Sequence, residues 1–386
     1  MRILAIETSC DETGVSIIEA SGDFGADFKF EILGNALNSQ ASIHTPYGGV
    51  FPNLAKREHE KNLVPLLTQA LTEAQLLVDG SAPVELAVIL ERETELRGQL
   101  DAFLKKYAKP AIDAIAITHG PGLEPALWVG VNFAKALAAA WNLPLVPVNH
   151  MEGHIILAAC KETTKTKVAS ITKFKFPLLS LLISGGHTEL VLSNEWMQYE
   201  LVGQTRDDAV GEAFDKVARL LGLPYPGGPE ISQLAAEVRG EAPLVTLPRP
   251  MIDTNDYDFS FSGIKTAVKR VVESNQPLTD SMKKHIALEF ENACAEVLVA
   301  KTMRAIEEFG AESILVGGGV SANTHIRESL ANAIKDYGYS TKLLIPPPAL
   351  ATDNALMIAL AGYFRALKKE YAEPDVIRAQ GNLKLA

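Results

Sequence analysis

Ile112-Asp113-Ala114-Ile115-Ala116-Ile117-Thr118-His119-Gly120-Pro121-Gly122 is an apolar strand that runs into a glycine turn, and Ser313-Ile314-Leu315-Val316-Gly317-Gly318-Gly319 repeats that order later in the chain. Short apolar runs closed by glycine read as buried strands. A helical pattern follows each turn, at residues 126–141 and 323–335. A further strand comes next, at 145–148 and 342–345, and then a last helix. Upstream, each copy has three short strands. They lie at 2–7, 14–18 and 30–37 in the first copy and at 176–184, 187–192 and 199–203 in the second. Helical patterns at 54–76, 209–221 and 282–309 separate the strand groups from the glycine turns.

Three strands followed by alternating helix and strand is the order of a ribonuclease-H-like half. Two such halves make the actin, sugar-kinase and heat-shock-chaperone (ASKHA) architecture, an α/β fold with nucleotide expected in the cleft between two lobes. We expect an N-terminal lobe over residues 1–160, with a helical insertion of mixed charge at about 79–110. The C-terminal lobe is expected over 176–386, with a helical segment at about 225–300. Residues 161–175, rich in threonine and lysine, suit the connection.

Bulk properties narrow the class. At ~150 residues per domain, 386 residues allow two or three domains. A hydrophobic content of 47% and a charged content of 22% are those of a soluble globular protein. No apolar run reaches the ~20 residues that cross a bilayer, so no membrane association is expected. Met1-Arg2-Ile3-Leu4-Ala5-Ile6-Glu7 is too short and too soon interrupted for a signal peptide. The three cysteines, Cys10, Cys160 and Cys294, are too scattered for a disulfide framework, and a cytoplasmic location is expected. A net charge of −11 argues against a protein that coats nucleic acid by itself.

The strand at 145–148 feeds Asn149-His150-Met151-Glu152-Gly153-His154. Imidazoles four residues apart lie one above the other on a helix face. That is the spacing with which one helical turn grips a divalent metal. Two surface histidines are the plain alternative. A zinc protease is disfavoured, because its glutamate directly follows the first histidine and Met151 holds that place here. At ~100° of rotation per residue, Glu152 points to nearly the opposite side from His150. A third ligand must come from elsewhere. By the repeat, Pro346-Pro347-Pro348-Ala349-Leu350-Ala351-Thr352-Asp353-Asn354 is the counterpart of the histidine helix's start. Asp353 is therefore expected to meet His150 and His154 across the cleft, with Thr352 or Asp353 as a mere N-cap the alternative. Two histidines and one carboxylate leave coordination positions open, as at a working metal.

Other turns offer anion sites. Ser184-Gly185-Gly186-His187-Thr188 reads as a hairpin whose backbone N–H groups approach an anion closely, or as a tight turn with no ligand. Gly317-Gly318-Gly319-Val320-Ser321-Ala322-Asn323 opens a helix, a natural phosphate or nucleoside site, or a turn capped by Ser321. Glu7-Thr8-Ser9-Cys10-Asp11-Glu12-Thr13 places three carboxylates and three hydroxyls at one turn. Such acids hold a metal or a water, or are simply solvated; Cys10 reads as a small filler. Asp207-Asp208-Ala209-Val210-Gly211-Glu212-Ala213-Phe214-Asp215-Lys216 reads as an acidic helix start with Asp208 and Asp215 on one face. Tyr225-Pro226-Gly227-Gly228-Pro229 is a rigid turn with exposed backbone.

Taken together with Pro46-Tyr47-Gly48-Gly49-Val50, Arg57-Glu58-His59, Gly120-Pro121-Gly122-Leu123 and Phe259-Ser260-Phe261-Ser262-Gly263-Ile264-Lys265-Thr266, these motifs resemble the TsaD/Gcp family of tRNA threonylcarbamoyltransferases, bacterial type, from residue 1 to about 365. The resemblance implies transfer of a threonylcarbamoyl group from threonylcarbamoyl-adenylate to N6 of the adenosine 3′ of the anticodon, in tRNAs reading codons that begin with A, with release of AMP. It implies one divalent metal, iron or zinc, on His150, His154 and Asp353. It implies donor-nucleotide contacts from Leu182, Ile183, Ser184, Gly185, Gly186, Asp215, Gly228 and Asn323. It also implies tRNA, a paralogous ASKHA-fold partner and a small ATPase as partners. The insertion at 79–110, Asn53-Leu54-Ala55 before Arg57, and Glu124-Pro125-Ala126-Leu127 depart from the family's usual pattern and bear on the partner interface and RNA groove.

Asp11 or Glu12 is the expected proton acceptor. A local basic surface for tRNA is expected from Lys161, Lys165, Lys167, Lys173 and Lys175, with Lys265, Lys269 and Arg270. Two rival readings share the fold. A sugar-kinase-like or chaperone-like ATPase has no use for the histidine pair. A non-catalytic partner of the modification complex is expected to lose the metal triad, which this chain keeps.

Overall fold

The computed structural model describes residues 1–25, 27–82, 84–161, 168–338 and 340–386. In chain order the elements are β1 (Arg2–Glu7), β2 (Glu12–Ser21), β3 (Lys29–Ser39), α1 (Ala41–His44), α2 (Pro52–Glu73), α3 (Thr94–Lys106), β4 (Ala114–Gly120), α4 (Glu124–Trp141), β5 (Leu145–Asn149), α5 (His150–Ala158), β6 (Cys160–Lys161) and β7 (Val168–Ile171). They continue with β8 (Leu178–Ile183), β9 (Thr188–Ser193), β10 (Glu200–Gln204), α6 (Val210–Leu220), α7 (Gly227–Glu237), α8 (Ser262–Ser274), α9 (Asp280–Phe309), β11 (Ser313–Gly317), α10 (Thr324–Asp336), β12 (Lys342–Leu344), α11 (Pro348–Ala351) and α12 (Ala355–Leu367). The chain forms two compact units. One is Met1–Ser42, Val50–Lys173 and Asp353–Leu385, and the other is Ile43–Gly49 with Phe174–Thr352.

The first unit is built on a sheet of order β5-β4-β1-β2-β3-β7-β6. β2 and β3 run antiparallel beside β1, while β1, β4 and β5 are mutually parallel. A central strand with both faces covered must be apolar along its length, and β1 is buried from Ile3 to Glu7. Leu4, Ile6, Val15, Ile17, Ile115 and Ile117 point to one face and join the core made with α2 and α4. On the other face lies α12, where a Cβ at Gly362 would stand 2.4 Å from the Ala116 Cβ. Only glycine lets this helix lie so close to β4.

Two expectations change here. Residues 353–385, read from the sequence as part of the second lobe, return to the first unit. The reason is α12, which is buried at nearly every position and packs on β1, β2, β4 and β5. The insertion is helical only over Thr94–Lys106. Before it, the Gly80 and Ala82 N–H groups donate to the carbonyls of Lys106 and Leu104, so the chain pairs with the end of α3 and does not coil. Leu86, Leu90, Leu96, Leu100 and Phe103 are buried in the same core as α2.

The second unit has a sheet of order β10-β9-β8-β11-β12, with β9 and β10 antiparallel and β8, β11 and β12 parallel. This is the order of the five principal strands of the first unit, and the repeat inferred from the sequence is a repeat of topology. Its core joins the sheet to α6, α7, α8, α9 and α10.

Candidate metal centre

Parallel strands gather chemistry at their carboxyl ends, because the helix that follows each strand starts there. In the first unit β1 ends on Glu7, β4 carries Thr118 near its end, and β5 ends on Asn149, the N-cap of α5. The Asn149 side chain accepts a hydrogen bond from Met151 N at 2.9 Å, which starts the helix at His150. His150 and His154 then stand one turn apart, ring centroids 4.8 Å from each other and nearly perpendicular. Both are buried, 5% and 2% exposed.

Asp353 completes the group. Its Oδ1 is 3.4 Å from Nε2 of His150 and 3.1 Å from Nε2 of His154. The aspartate belongs to the same unit as the histidines, so the triad assembles within one unit and not from two as the repeat implied. The N-cap of α12 is neither Thr352 nor Asp353. Asn354 fills that role by accepting from Met357 N at 3.2 Å, which leaves the Asp353 carboxylate for the imidazoles. A Cβ at Gly14 would lie 2.9 Å from Ala355 N, so β2 and the start of α12 are in close contact beside Asp353.

Glu7 is the partner that sequence reasoning assigned only to an acidic turn. Its Oε2 is 3.1 Å from Nδ1 of His150 and accepts from the Thr118 hydroxyl at 2.5 Å, while Oε1 accepts from Ser9 N at 2.5 Å. A carboxylate on Nδ1 fixes the ring and leaves Nε2 as the basic nitrogen. Burial works to raise the Glu7 carboxyl, but the His150 charge outweighs it and holds it below the usual range. Burial also works against charging His150, yet Asp353 and Glu7 push its pKa well above that of an ordinary histidine. Burial would raise Asp353, and the His150 charge foremost, with His154, holds it well below the ordinary carboxylate range.

The donor set fits a divalent cation. Nε2 of His154 is buried and makes no hydrogen bond, although an Asp353 oxygen lies beside it. An orphaned buried nitrogen is costly unless a ligand satisfies it. Two imidazole nitrogens and one carboxylate oxygen within 4.8 Å of one another are the donors that zinc and iron(II) accept. Among the described residues no other cluster of this kind is found. Glu152 is turned away, as helical rotation requires, and its carboxylate is held by Arg365 at 2.8 and 2.9 Å.

The turn between β1 and β2 is near enough to this site for the Asp353 charge to act on Cys10 and Glu12. Burial first, then the Asp11 carboxylate, pushes Glu12 up to about 10. Burial likewise raises the Cys10 thiol well above its usual range, which suits a filler and not a nucleophile. His59, from α2 and fully buried, grips the turn on both sides of the acids. Its Nε2 lies 3.0 Å from the Cys10 carbonyl and its Nδ1 2.7 Å from the Thr13 hydroxyl.

The second unit places its glycine turns at the carboxyl ends of β8 and β11 in the same way. Leu182 and Ile183 end β8, and Ser184 Oγ accepts from Gly186 N and His187 N, so this hydroxyl shapes its own hairpin. Thr188 Oγ1 accepts from Val210 N at the start of α6. Gly211 lies against Ser184 and Gly318 against Ile183 at distances no Cβ tolerates. Beside Gly185, Gly186, Gly228 and Gly319 a Cβ would meet open space. Asp215 Oδ1 accepts from Gly227 N at 2.7 Å, and Asp208 precedes α6, paired with Lys216 and Lys265, so these acids share no helix face. Asn323, and not Ser321, caps α10 by accepting from Ile326 N, while its amide donates to Ser232 and Glu291. Of the cations expected to face tRNA, Lys175 pairs with Glu312 and Lys269 with Glu273. Lys165, Lys167 and the side chain of Lys161 lie outside the described residues.

Two ribonuclease-H-like units of one strand order define the ASKHA class of α/β proteins. The crystal structure of T. kodakarensis HypF aligns with 97% of this chain at a TM-score of 0.51 and 12% identity, a likeness of fold alone, and this chain spans 49% of that one. A family model described as TsaD, tRNA N6-adenosine threonylcarbamoyltransferase, matches residues 31–80 and 100–360. The break falls inside the insertion expected at 79–110. Proteins named tRNA N6-adenosine threonylcarbamoyltransferase from Staphylococcus aureus strains Newman and bovine RF122 / ET3-1 are each 40% identical over 372 residues, covering 96% of this chain and 93% of theirs. The chain belongs to the TsaD family of tRNA N6-adenosine threonylcarbamoyltransferases.

Proposed function

We propose that this chain transfers a threonylcarbamoyl group from threonylcarbamoyl-adenylate to N6 of the adenosine 3′ of the anticodon, in tRNAs that read codons beginning with A. The convergence of His150 and His154 Nε2 on Asp353, with one nitrogen left unsatisfied, carries the reading. His150, His154 and Asp353 would hold a divalent iron or zinc. When bound there, the ion supplies Lewis-acid polarisation of the threonylcarbamoyl carbonyl.

The chain's own residues do the rest. Glu7 orients His150 and keeps Nε2 available. Leu182 to Gly186, Asp215, Gly228 and Asn323 bind the AMP portion of the donor, and the exposed backbone at Gly185 and Gly186, with the open space beside Gly228, supports that role. N6 of the adenosine attacks the carbamoyl carbon, the bond from that carbon to the phosphate oxygen breaks, and AMP leaves with the electron pair. Asp11, beside a Glu12 that already holds a proton at neutral pH, takes the N6 proton. An exocyclic amine is a weak nucleophile, so positioning supplies much of the rate.

The chain works in the cytoplasm with a paralogous ASKHA-fold protein and a small ATPase. No helix among the described residues is long and apolar enough to cross a membrane. The test is transfer of labelled threonine from the adenylate to tRNA, with partners and metal supplied. His150→Ala should abolish transfer while the chain stays folded, and wild-type turnover in that variant would refute the proposal.

A further inference from the structure

Glu152 is fully buried on the helix that carries both imidazoles and lies between them in sequence. Both its oxygens are taken by Arg365, Oε2 by Nε at 2.9 Å and Oε1 by Nη2 at 2.8 Å. Arg365 stands in the last turn of α12, the helix whose N-cap, Asn354, directly follows Asp353. Glu370 holds its remaining nitrogen. A fork of this kind joins the helix bearing two ligands to the helix that starts beside the third.

Stability does not account for such a pair. Replacing a buried ion pair by apolar side chains is often neutral or stabilising. What a bidentate pair adds is direction, since two parallel hydrogen bonds fix both translation and rotation. Around Gly153 the α5–α12 contact is of another kind. At Gly153 a Cβ would be 3.1 Å from Met357 Cγ and Ile358 Cδ1, so the helices pack closely, but through apolar side chains. Apolar contacts are non-directional and tolerate a small slide. Ligand atoms at a metal do not, because their distances must hold to within ~0.2 Å.

We infer that the Glu152–Arg365 pair is a brace that sets the spacing between the two imidazoles and Asp353, and thereby the affinity of the centre for its cation. The inference rests on the metal reading above. Glu152 and Arg365 are positioning residues, so the experiment reads metal binding and not turnover. Metal-free protein is titrated with Co(II), followed by its visible absorption, for the wild type, His150→Ala, the double variant Glu152→Leu/Arg365→Met and Arg365→Lys. Thermal unfolding of each metal-free chain is recorded alongside.

The double variant is expected to unfold close to the wild type, and yet to bind Co(II) roughly 10–100-fold more weakly, with a changed spectrum. Arg365→Lys keeps the charge, loses the second donor and weakens binding in the same direction; it decides the matter if the double variant does not fold. Wild-type affinity and spectrum in the deciding variant overturn the brace. If the wild type itself binds no Co(II), or His150→Ala binds it equally well, the metal reading fails and the brace falls with it.

Discussion

Glu7 Oε2 lies 3.1 Å from Nδ1 of His150, on the side of the ring away from Asp353. The carboxylate ends β1, and the imidazole opens the helix after β5. Partners behind a ligating histidine set its tautomer and basicity. Glu7→Gln keeps the size and removes the charge. Its metal affinity should fall roughly 10–100-fold, measured by competition with a chelator. Wild-type affinity would show that Glu7 only fills space.

Gly14 makes a prediction about packing. Its missing Cβ would sit 2.9 Å from Ala355 N, a backbone atom that cannot rotate away. Gly14→Ala should cost about 1–3 kcal/mol in denaturant unfolding. It should also lower metal affinity, because the displaced segment carries Asp353. A full-affinity, fully stable Gly14→Ala chain would contradict the packing argument.

His59 holds the acid turn through the Cys10 carbonyl and the Thr13 hydroxyl. His59→Leu leaves both groups short of a partner, at a cost of ~1–3 kcal/mol for each that stays buried and unpaired. On the proposed role of Asp11 and Glu12, kcat should fall more than KM rises, with metal content unchanged. Equal kcat in the variant and the wild type would remove His59 from the account.

Asp207 carries the pH prediction. Its carboxylate accepts from Phe261 N, Ser262 N and the hydroxyls of Ser260 and Ser262 at the start of α8. Burial works to raise its pKa, but these hydrogen bonds, that of Ser260 first, lower it below the ordinary value. A folded value below the unfolded ~3.9 means stability that is present above pH ~3.9 and is lost as pH falls through the folded value. Asp207→Asn should therefore destabilise by about 0.5–1 kcal/mol at neutral pH, a modest figure because the group is exposed and screened. The gap between the two proteins should close below pH 3.9. A gap that widens in acid would reverse the sign.

The sequence displays some of this arrangement and hides the rest for physical reasons. Strand patterns and the two glycine turns show the repeated order, because periodicity and turn chemistry are local. The histidine pair is legible for the same reason. Which of Thr352, Asp353 and Asn354 caps α12 is not, since all three residue types cap helices and only the fold selects Asn354. Ser321 and Asn323 pose the same ambiguity, settled by the turn at Gly319–Ala322. The apolar run Ala355–Leu367 announces burial on all sides, but nothing local says that it is buried on the first sheet. Glu7 and Arg365 find their partners across 143 and 213 residues of chain, and no periodicity records such a pairing.

The central claim is that His150, His154 and Asp353 hold one divalent cation on which transfer depends. Metal content per chain and labelled-threonine transfer to tRNA, measured together for the wild type and Asp353→Ala, test it most directly. The account predicts one iron or zinc per wild-type chain, and a folded variant with neither metal nor transfer. Wild-type transfer by an Asp353→Ala chain that holds no metal would contradict it.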